Sequence, residues 1–158
     1  MSDHVVSNMA SAVLATGVGA LRFNFRGVGG SEGDHDKGRG EVDDLVSVVR
    51  YLQEEFKVST IIVGGYSFGA VVALNAISAT KAVKAILIAP PVRMMDVVAA
   101  PDIPIQVILG EADDIVDVLQ TSDFFEQASI SVIPGANHFF AECDTEIGKT
   151  ITEFMGGT

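Results

Sequence analysis

A serine stands between two glycines in the run Gly65–Gly69, G-Y-S-F-G. The apolar run Ile61–Val63 comes just before it and predicts a buried strand, while the small residues after it predict a helix. A serine on such a sharp turn is held at strained backbone angles, with its hydroxyl above the carboxyl edge of the sheet. We therefore interpret Ser67 as a candidate nucleophile. Its neighbours Tyr66 and Phe68 are candidate substrate-binding residues, and the backbone N–H of Phe68 is a candidate oxyanion donor.

A serine nucleophile needs a base, and the base needs a group that orients it. After Ser67 the chain contains one histidine, His138, in a loop that follows the predicted strand Ile130–Ile133. The loop after the predicted strand Ile105–Leu109 holds three carboxylates that could orient the imidazole, namely Glu111, Asp113 and Asp114. Because loops at the carboxyl ends of parallel strands gather on one edge, these residue types predict a Ser–Asp–His group for acyl transfer.

Helix-period and strand-period segments alternate along the chain, which predicts an α/β fold with a mostly parallel sheet between two helix layers. The predicted sheet has about five strands, which are Ala20–Phe25, Ile61–Val63, Ala85–Ala89, Ile105–Leu109 and Ile130–Ile133. The first two helices are predicted to bury one apolar face each, formed by Val6, Met9, Ala10, Val13 and Leu14, and by Val42, Leu45, Val46, Val49, Leu52 and Phe56. Further helices are predicted over Ser67–Ile77, over Val116–Gln127 and around Ile147–Met155. With no linker or repeat, residues 1–158 are interpreted as one domain.

The charge of the chain excludes some partners. Ten Lys and Arg against 21 Asp and Glu give a net charge of −11, which disfavours nucleic acid and anionic membranes. The single cysteine, Cys143, allows no internal disulfide and fits a reducing, cytoplasmic location. It lies beyond His138 without a sharp turn, so we interpret it as a structural thiol.

Two other segments are considered and rejected as cofactor or metal sites. The loop Gly27–Gly33 is rich in glycine, but Glu32 stands where a dinucleotide-binding loop has its third glycine. Acidic residues with His35 follow, and nothing in their spacing imposes ligand geometry, so Glu32, Asp34, His35 and Asp36 are interpreted as a solvated loop. The sequence therefore predicts neither a cofactor nor a metal.

Over nearly its whole length the chain resembles compact α/β-hydrolases of the dienelactone-hydrolase-like kind. Besides the serine turn, the resemblance rests on the segments Leu21–Gly29, Gly38–Leu45, Ala89–Pro91 and Gly135–Phe140. The family pattern G-x-x-D-x-x-V matches Gly110, Asp113 and Val116, which favours Asp113 as the orienting carboxylate. Dienelactone hydrolases carry cysteine where this chain has Ser67, so the resemblance implies esterase chemistry.

These observations predict a cytoplasmic serine carboxylesterase that acts on small, short-chain acyl esters, with Ser67, His138 and Asp113 as nucleophile, base and orienting acid. Only Pro90–Pro104 separates two predicted strands, which is too short for a cap domain and predicts an open site. The alternative is a catalytically weak or inactive hydrolase-like domain used for binding or scaffolding.

The resemblance also implies a central strand and an oxyanion loop ahead of the first helix, where this sequence has none. We therefore expect Ala20–Phe25 to pair directly with Ile61–Val63, with a homodimer as the other way of covering that edge. Closing the gap would bring Met1 and the free N–H groups of the first helix towards Ser67, as a partial replacement for the missing oxyanion donor.

Overall fold

The computed structural model describes residues 3–156. The helices are α1 (His4–Ala15), α2 (Arg39–Phe56), α3 (Phe68–Thr80), α4 (Val118–Phe124) and α5 (Asp144–Gly156). The strands are β1 (Ile62–Tyr66), β2 (Lys84–Ile88), β3 (Ile105–Gly110) and β4 (Ser129–Ile133).

The four strands form one parallel sheet in the order β1-β2-β3-β4. The two inner strands are almost wholly buried and apolar, as strands covered on both faces must be. Their register places Leu87 of β2 opposite Gly65 of β1 and Val107 of β3. Because all four strands run the same way, their carboxyl ends meet at one edge of the sheet, and the loops that leave them share that edge.

Helices cover both faces of this sheet in two pairs, α2 with α3 and α1 with α5. Successive residues of β1 show the two layers, because a side chain at Gly64 would touch Met9 of α1, whereas one at Gly65 would collide with the start of α3. Between β2 and β3, residues 89–104 contain neither helix nor strand. The predicted three-layer α/β fold without a cap domain is therefore confirmed.

One predicted strand is wrong. Residues 20–25 form no strand in the structure, so the sheet has four strands, and β1 pairs only with β2 within residues 3–156. Side chains hold the segment instead: Phe25 packs edge-on against Phe68 with ring centroids 6.0 Å apart, and Arg22 donates to the Ser7 hydroxyl of α1 at 2.7 Å. Alternating phenylalanines indicate an extended backbone, and they do not specify a pairing partner.

The predicted helix faces need smaller corrections. In α1 the buried residues are Val5, Met9 and Ala12, so the face is rotated from the prediction and Leu14 is 55% exposed. In α2, Phe56 is 63% exposed because it lies on the last turn, where it packs on Tyr51 with centroids 5.8 Å apart. Periodicity locates a helix face better in the middle of a helix than at its ends, where the neighbouring element stops.

Candidate active site

Ser67 lies on the turn between β1 and α3 with φ 50° and ψ −120°, in the left-handed range of φ that non-glycine residues rarely adopt. Its N–H donates to the carbonyl of Ile88 at 2.8 Å, which ties the turn to the end of β2. The two flanking glycines differ. A Cβ at Gly65 would collide with the backbone of Gly69, whereas a Cβ at Gly69 would meet only the Phe25 ring at 3.9 Å. The close approach of strand and helix therefore requires Gly65 and leaves room at Gly69.

The structure brings Ser67, His138 and Asp113 into one hydrogen-bonded line. Ser67 Oγ lies 2.9 Å from His138 Nε2, and His138 Nδ1 lies 2.8 Å from Asp113 Oδ2. The side chains of His138 and Asp113 are 6% and 1% exposed. The other oxygen of Asp113 accepts the N–H groups of Ile115 and Val116, each at 2.8 Å. Both carboxylate oxygens are thus engaged, and the one that faces the imidazole is fixed in direction.

The other two carboxylates considered for this position lie elsewhere. Asp114 is exposed on the same loop. Glu111 accepts the backbone N–H of Gly135 at 2.9 Å and so joins the loop after β3 to the loop after β4.

Main-chain contacts hold those two loops together. Glu111 and Ala112 donate their N–H groups to the carbonyls of Ile133 and Ala136 at 3.0 and 2.9 Å. A Cβ at Gly110 would collide with the carbonyl of Ala136. Gly110, the last residue of β3, is therefore what lets the His138 loop come close enough to the Asp113 loop.

Tyr66 contacts the His138 loop. Its hydroxyl donates to the carbonyl oxygen of His138 at 2.9 Å, and its ring packs edge-on against Phe140 with centroids 6.3 Å apart. Burial, with smaller contributions from the charges of Asp3 and Asp113, raises the pKa of Tyr66 to about 12. The phenol is therefore neutral near pH 7 and acts as a donor. Predicted as a substrate-binding residue, Tyr66 has its hydroxyl committed to the loop that carries the imidazole.

Phe68 is the first residue of α3, so its N–H is the first that the helix leaves without an intrahelical acceptor. This amide follows Ser67 directly and is available to a developing oxyanion. The ring of Phe68 lies between those of Phe25 and His35, whose centroids are 6.0 and 5.1 Å away. Both rings come from the chain between α1 and α2, where Phe25 was predicted to end a strand and His35 was interpreted as part of a solvated loop.

Glu41 is the residue that sequence reasoning missed. Its side chain is fully buried, and its carboxylate accepts the N–H groups of Asp36 and Gly38, both at 2.8 Å, and contacts His35 Nδ1 at 2.8 Å. Burial raises the pKa of this carboxyl, but the backbone N–H bonds and His35 outweigh it and lower the pKa below its ordinary value. The available signal was weak: Glu41 stands at the third helical position, from which it can accept the N–H of the N-cap residue Gly38, but glycine has no side chain to complete a capping box.

A second ion pair fixes the start of the same loop. The guanidinium of Arg26 contacts Asp44 of α2 at 2.7 Å, and the backbone N–H of Arg26 donates to the same carboxylate at 2.9 Å. This guanidinium lowers the pKa of Asp44. A Cβ at Gly40 would displace this guanidinium.

The expectation that α1 supplies free N–H groups to Ser67 is wrong for the described part of the helix. Asp3 Oδ1 accepts the N–H groups of Val5 and Val6 at 2.9 and 3.2 Å, so both are already used. Met1, which we expected to approach Ser67, lies outside the described residues.

Ser67 lines neither of two cavities in the described part of the chain. One of about 620 Å³ lies between α1 and α5 and is lined by polar and small residues that include Ser7, Asn8 and Thr152. The other, of about 200 Å³, lies between the loops after β2 and β3 and is lined by Met94 and Ile115.

Comparison with known proteins assigns the family. Residues 2–102 match the family described as serine aminopeptidase S33. An uncharacterized protein of Rickettsia prowazekii is 31% identical over 171 residues, which cover 98% of this chain and 72% of the relative. The chain belongs to the α/β serine hydrolases.

Two solved structures agree with that assignment. An α/β serine hydrolase homologue from Coxiella burnetii is 32% identical with a TM-score of 0.89, over 97% of this chain and 76% of that one. An α/β serine hydrolase from Xanthomonas campestris, described as lacking a lid, is 33% identical with a TM-score of 0.93, over 100% and 77% of the two chains.

No helix in residues 3–156 is both long and apolar enough to cross a membrane. The same residues of the hydrolase contain no group of three or more His, Cys, Asp or Glu side chains that could hold a metal ion.

Cys143 is half-buried. Burial, followed by the nearby charges of Glu146, Asp144 and Glu142, raises the pKa of its thiol. A raised pKa leaves little thiolate, which fits the structural interpretation of this cysteine.

Proposed function

We propose that this hydrolase is a serine carboxylesterase that cleaves small, short-chain acyl esters through an acyl-enzyme formed on Ser67. The observation that carries the proposal is the continuous line of two hydrogen bonds, 2.9 and 2.8 Å long, from Ser67 Oγ through His138 to Asp113. These are the distances at which a base can take a hydroxyl proton and a carboxylate can hold the imidazole tautomer.

The proton transfers follow from this geometry. With the Nδ1 proton donated to Asp113, His138 Nε2 takes the proton of Ser67 as Oγ attacks the ester carbonyl. The backbone N–H of Phe68 donates to the oxyanion that forms. His138 then returns the proton to the alcohol oxygen as the C–O bond breaks. A water molecule repeats the two transfers, which releases the acid and restores the serine hydroxyl.

The short connection after β2 supports small esters as substrates. Residues 89–104 form no inserted domain over the site. A serine at an open edge is reached directly by a small soluble ester, without a lid that must first open.

Labelling with a fluorophosphonate probe tests the nucleophile. We expect labelling of the wild-type protein and of the exposed-serine control Ser59→Ala, and none of Ser67→Ala. Equal labelling of all three proteins would show that Ser67 is not the nucleophile. No labelling of any would favour the alternative of a binding or scaffold domain. A series of 4-nitrophenyl esters from acetate to decanoate then tests the substrate class, with kcat/KM expected to fall as the chain lengthens.

A further inference from the structure

The hydrolase contains a second histidine that is oriented by a carboxylate. His35 Nδ1 lies 2.8 Å from Glu41 Oε1, with the carboxylate buried and the histidine side chain 61% exposed. In the neutral ring the proton on Nδ1 is donated to Glu41, which leaves Nε2 as an acceptor on the exposed side.

The loop that carries His35 is held rigidly enough to aim that ring. Glu41 also accepts the N–H groups of Asp36 and Gly38, and the carboxylate of Asp36 accepts the N–H of Gly40 at 3.0 Å. These bonds attach both sides of the loop to the first turn of α2. His35 therefore differs from an ordinary surface histidine, whose ring is free to change rotamer.

This ring lies at the rim of the reaction site. Its centroid is 5.1 Å from that of Phe68, the residue whose N–H follows Ser67. The connection between β2 and β3 also comes close to the His35 loop, because a Cβ at Gly38 would meet the end of the Met95 side chain at 3.2 Å. His35 therefore contacts the residue that directly follows Ser67 in the chain.

We propose that His35 is a specificity-determining residue that hydrogen-bonds a hydroxyl group of the substrate, so that the preferred substrates are hydroxylated short-chain esters. This rests on the proposed esterase function. A hydroxyl fits because it can donate to Nε2 of the neutral ring. An anionic group fits less well, because Glu41 and Asp36 lie beside the imidazole and the chain has a net charge of −11.

The test uses pairs of esters of nearly equal shape, in which a hydroxyl replaces a methyl group. Methyl 3-hydroxybutyrate against methyl 3-methylbutyrate probes the acyl side, and 2-hydroxyethyl butyrate against propyl butyrate probes the alcohol side. Hydrolysis is followed by pH-stat titration in the wild type, His35→Phe, His35→Gln and the exposed loop control Asp34→Asn. Because both esters of a pair are measured on the same sample, the ratio of their kcat/KM values does not depend on the fraction of protein that folds.

We expect the wild type and Asp34→Asn to prefer the hydroxylated ester in at least one pair. His35→Phe should lower that preference about fivefold to tenfold, as expected for one lost hydrogen bond at an exposed rim, and His35→Gln should retain part of it. Turnover that requires Ser67 but shows the same ratios in the wild type and in His35→Phe would overturn this inference alone. If none of the four esters were cleaved in a Ser67-dependent way, the proposed function would be overturned together with it.

Discussion

Two histidine–carboxylate pairs, His138 with Asp113 and His35 with Glu41, have the same Nδ1···O distance, 2.8 Å. The pair of His138 and Asp113 is buried on both sides, and Nε2 of its imidazole faces the serine hydroxyl. The pair of His35 and Glu41 has an equally buried carboxylate, but its imidazole is exposed. For two pairs of equal geometry we therefore propose different roles, which are proton transfer at His138 and substrate recognition at His35.

The supports of the two pairs also differ. Backbone groups of the loops after β3 and β4 bond directly to each other around Asp113 and His138. The loop around His35 is held by side chains of α2, chiefly the carboxylates of Glu41 and Asp44. The main-chain contacts should be broken by an added side-chain atom that pushes the two loops apart. The contacts to a carboxylate should be broken by removing its charge, so different substitutions should disrupt the two pairs.

The largest expected effect separates the two histidines. His138→Ala should lower kcat about 10⁶-fold and Asp113→Asn about 10⁴-fold, because each removes part of the proton-transfer unit. His35→Ala should change kcat less than about tenfold. Steady-state hydrolysis of a 4-nitrophenyl ester, with the exposed neighbour Asp114→Asn as control, measures all four. Similar losses in the two histidine variants would contradict the division of roles.

Disrupting the main-chain contacts between the loops after β3 and β4 should have the next largest effect. Gly110→Ala forces a Cβ against the carbonyl of Ala136 and moves the His138 loop away from the Asp113 loop. We expect kcat to fall about 10²-fold, the usual cost of a displacement near 1 Å at a reacting group. Gly19→Ala is the matched control, since a Cβ there meets nothing within 4 Å. Wild-type kcat in a folded Gly110→Ala protein would show that the loops tolerate separation.

Loss of the side-chain contacts that hold the His35 loop should lower the free energy of unfolding, and the size of this loss should depend on pH. Glu41→Gln leaves backbone N–H groups poorly satisfied, and we expect a loss of about 1–3 kcal/mol in the free energy of unfolding at pH 7. The exposed α2 carboxylate Asp43→Asn should change it by less than about 0.5 kcal/mol.

The sign of the pH effect follows from the lowered pKa of Glu41. A carboxyl whose pKa is depressed by folding stabilises the protein above its unfolded pKa, about 4.3 for glutamate, and loses that contribution as pH falls through the folded value. Urea unfolding at pH 7, 5 and 3.5 should show the difference between the wild type and Glu41→Gln shrinking only in the most acidic series. A constant difference would mean that the charge of Glu41 does not matter.

The smallest expected effect is at Gly69, which differs in this from Gly65, the other glycine of the serine turn. Gly69→Ala should leave kcat/KM within about twofold and change the free energy of unfolding by at most about 1 kcal/mol, because the helix gains a better former and the nearest atom is 3.9 Å away. Gly65→Ala should abolish labelling of Ser67 by the fluorophosphonate probe, because its Cβ collides with the helix backbone. Thermal unfolding and fluorophosphonate labelling of the two variants, measured side by side, check this prediction. Equal labelling and equal stability of Gly65→Ala and Gly69→Ala would contradict it.

What the sequence could predict depended on how local the information was. The strand, turn and helix around Ser67 follow from adjacent residues, and chain order with the strand pattern was enough to find His138. Choosing Asp113 over Asp114 needed the family resemblance, because either could have faced the imidazole. The predicted strand at residues 20–25 failed because pairing depends on a partner far along the chain. Glu41 was missed because its place in the first turn of a helix does not show the loop that folds over it.

The strand order β1-β2-β3-β4 has a consequence for how this molecule folds. Each strand pairs with the next one along the chain, so loops of modest length close as the sheet grows and the entropy cost of each addition is small. The contacts of the site are of a different kind: His138 lies 25 residues from Asp113 and 71 from Ser67. We expect the sheet to assemble one neighbour at a time, and the serine to meet its imidazole only when the last strand has docked.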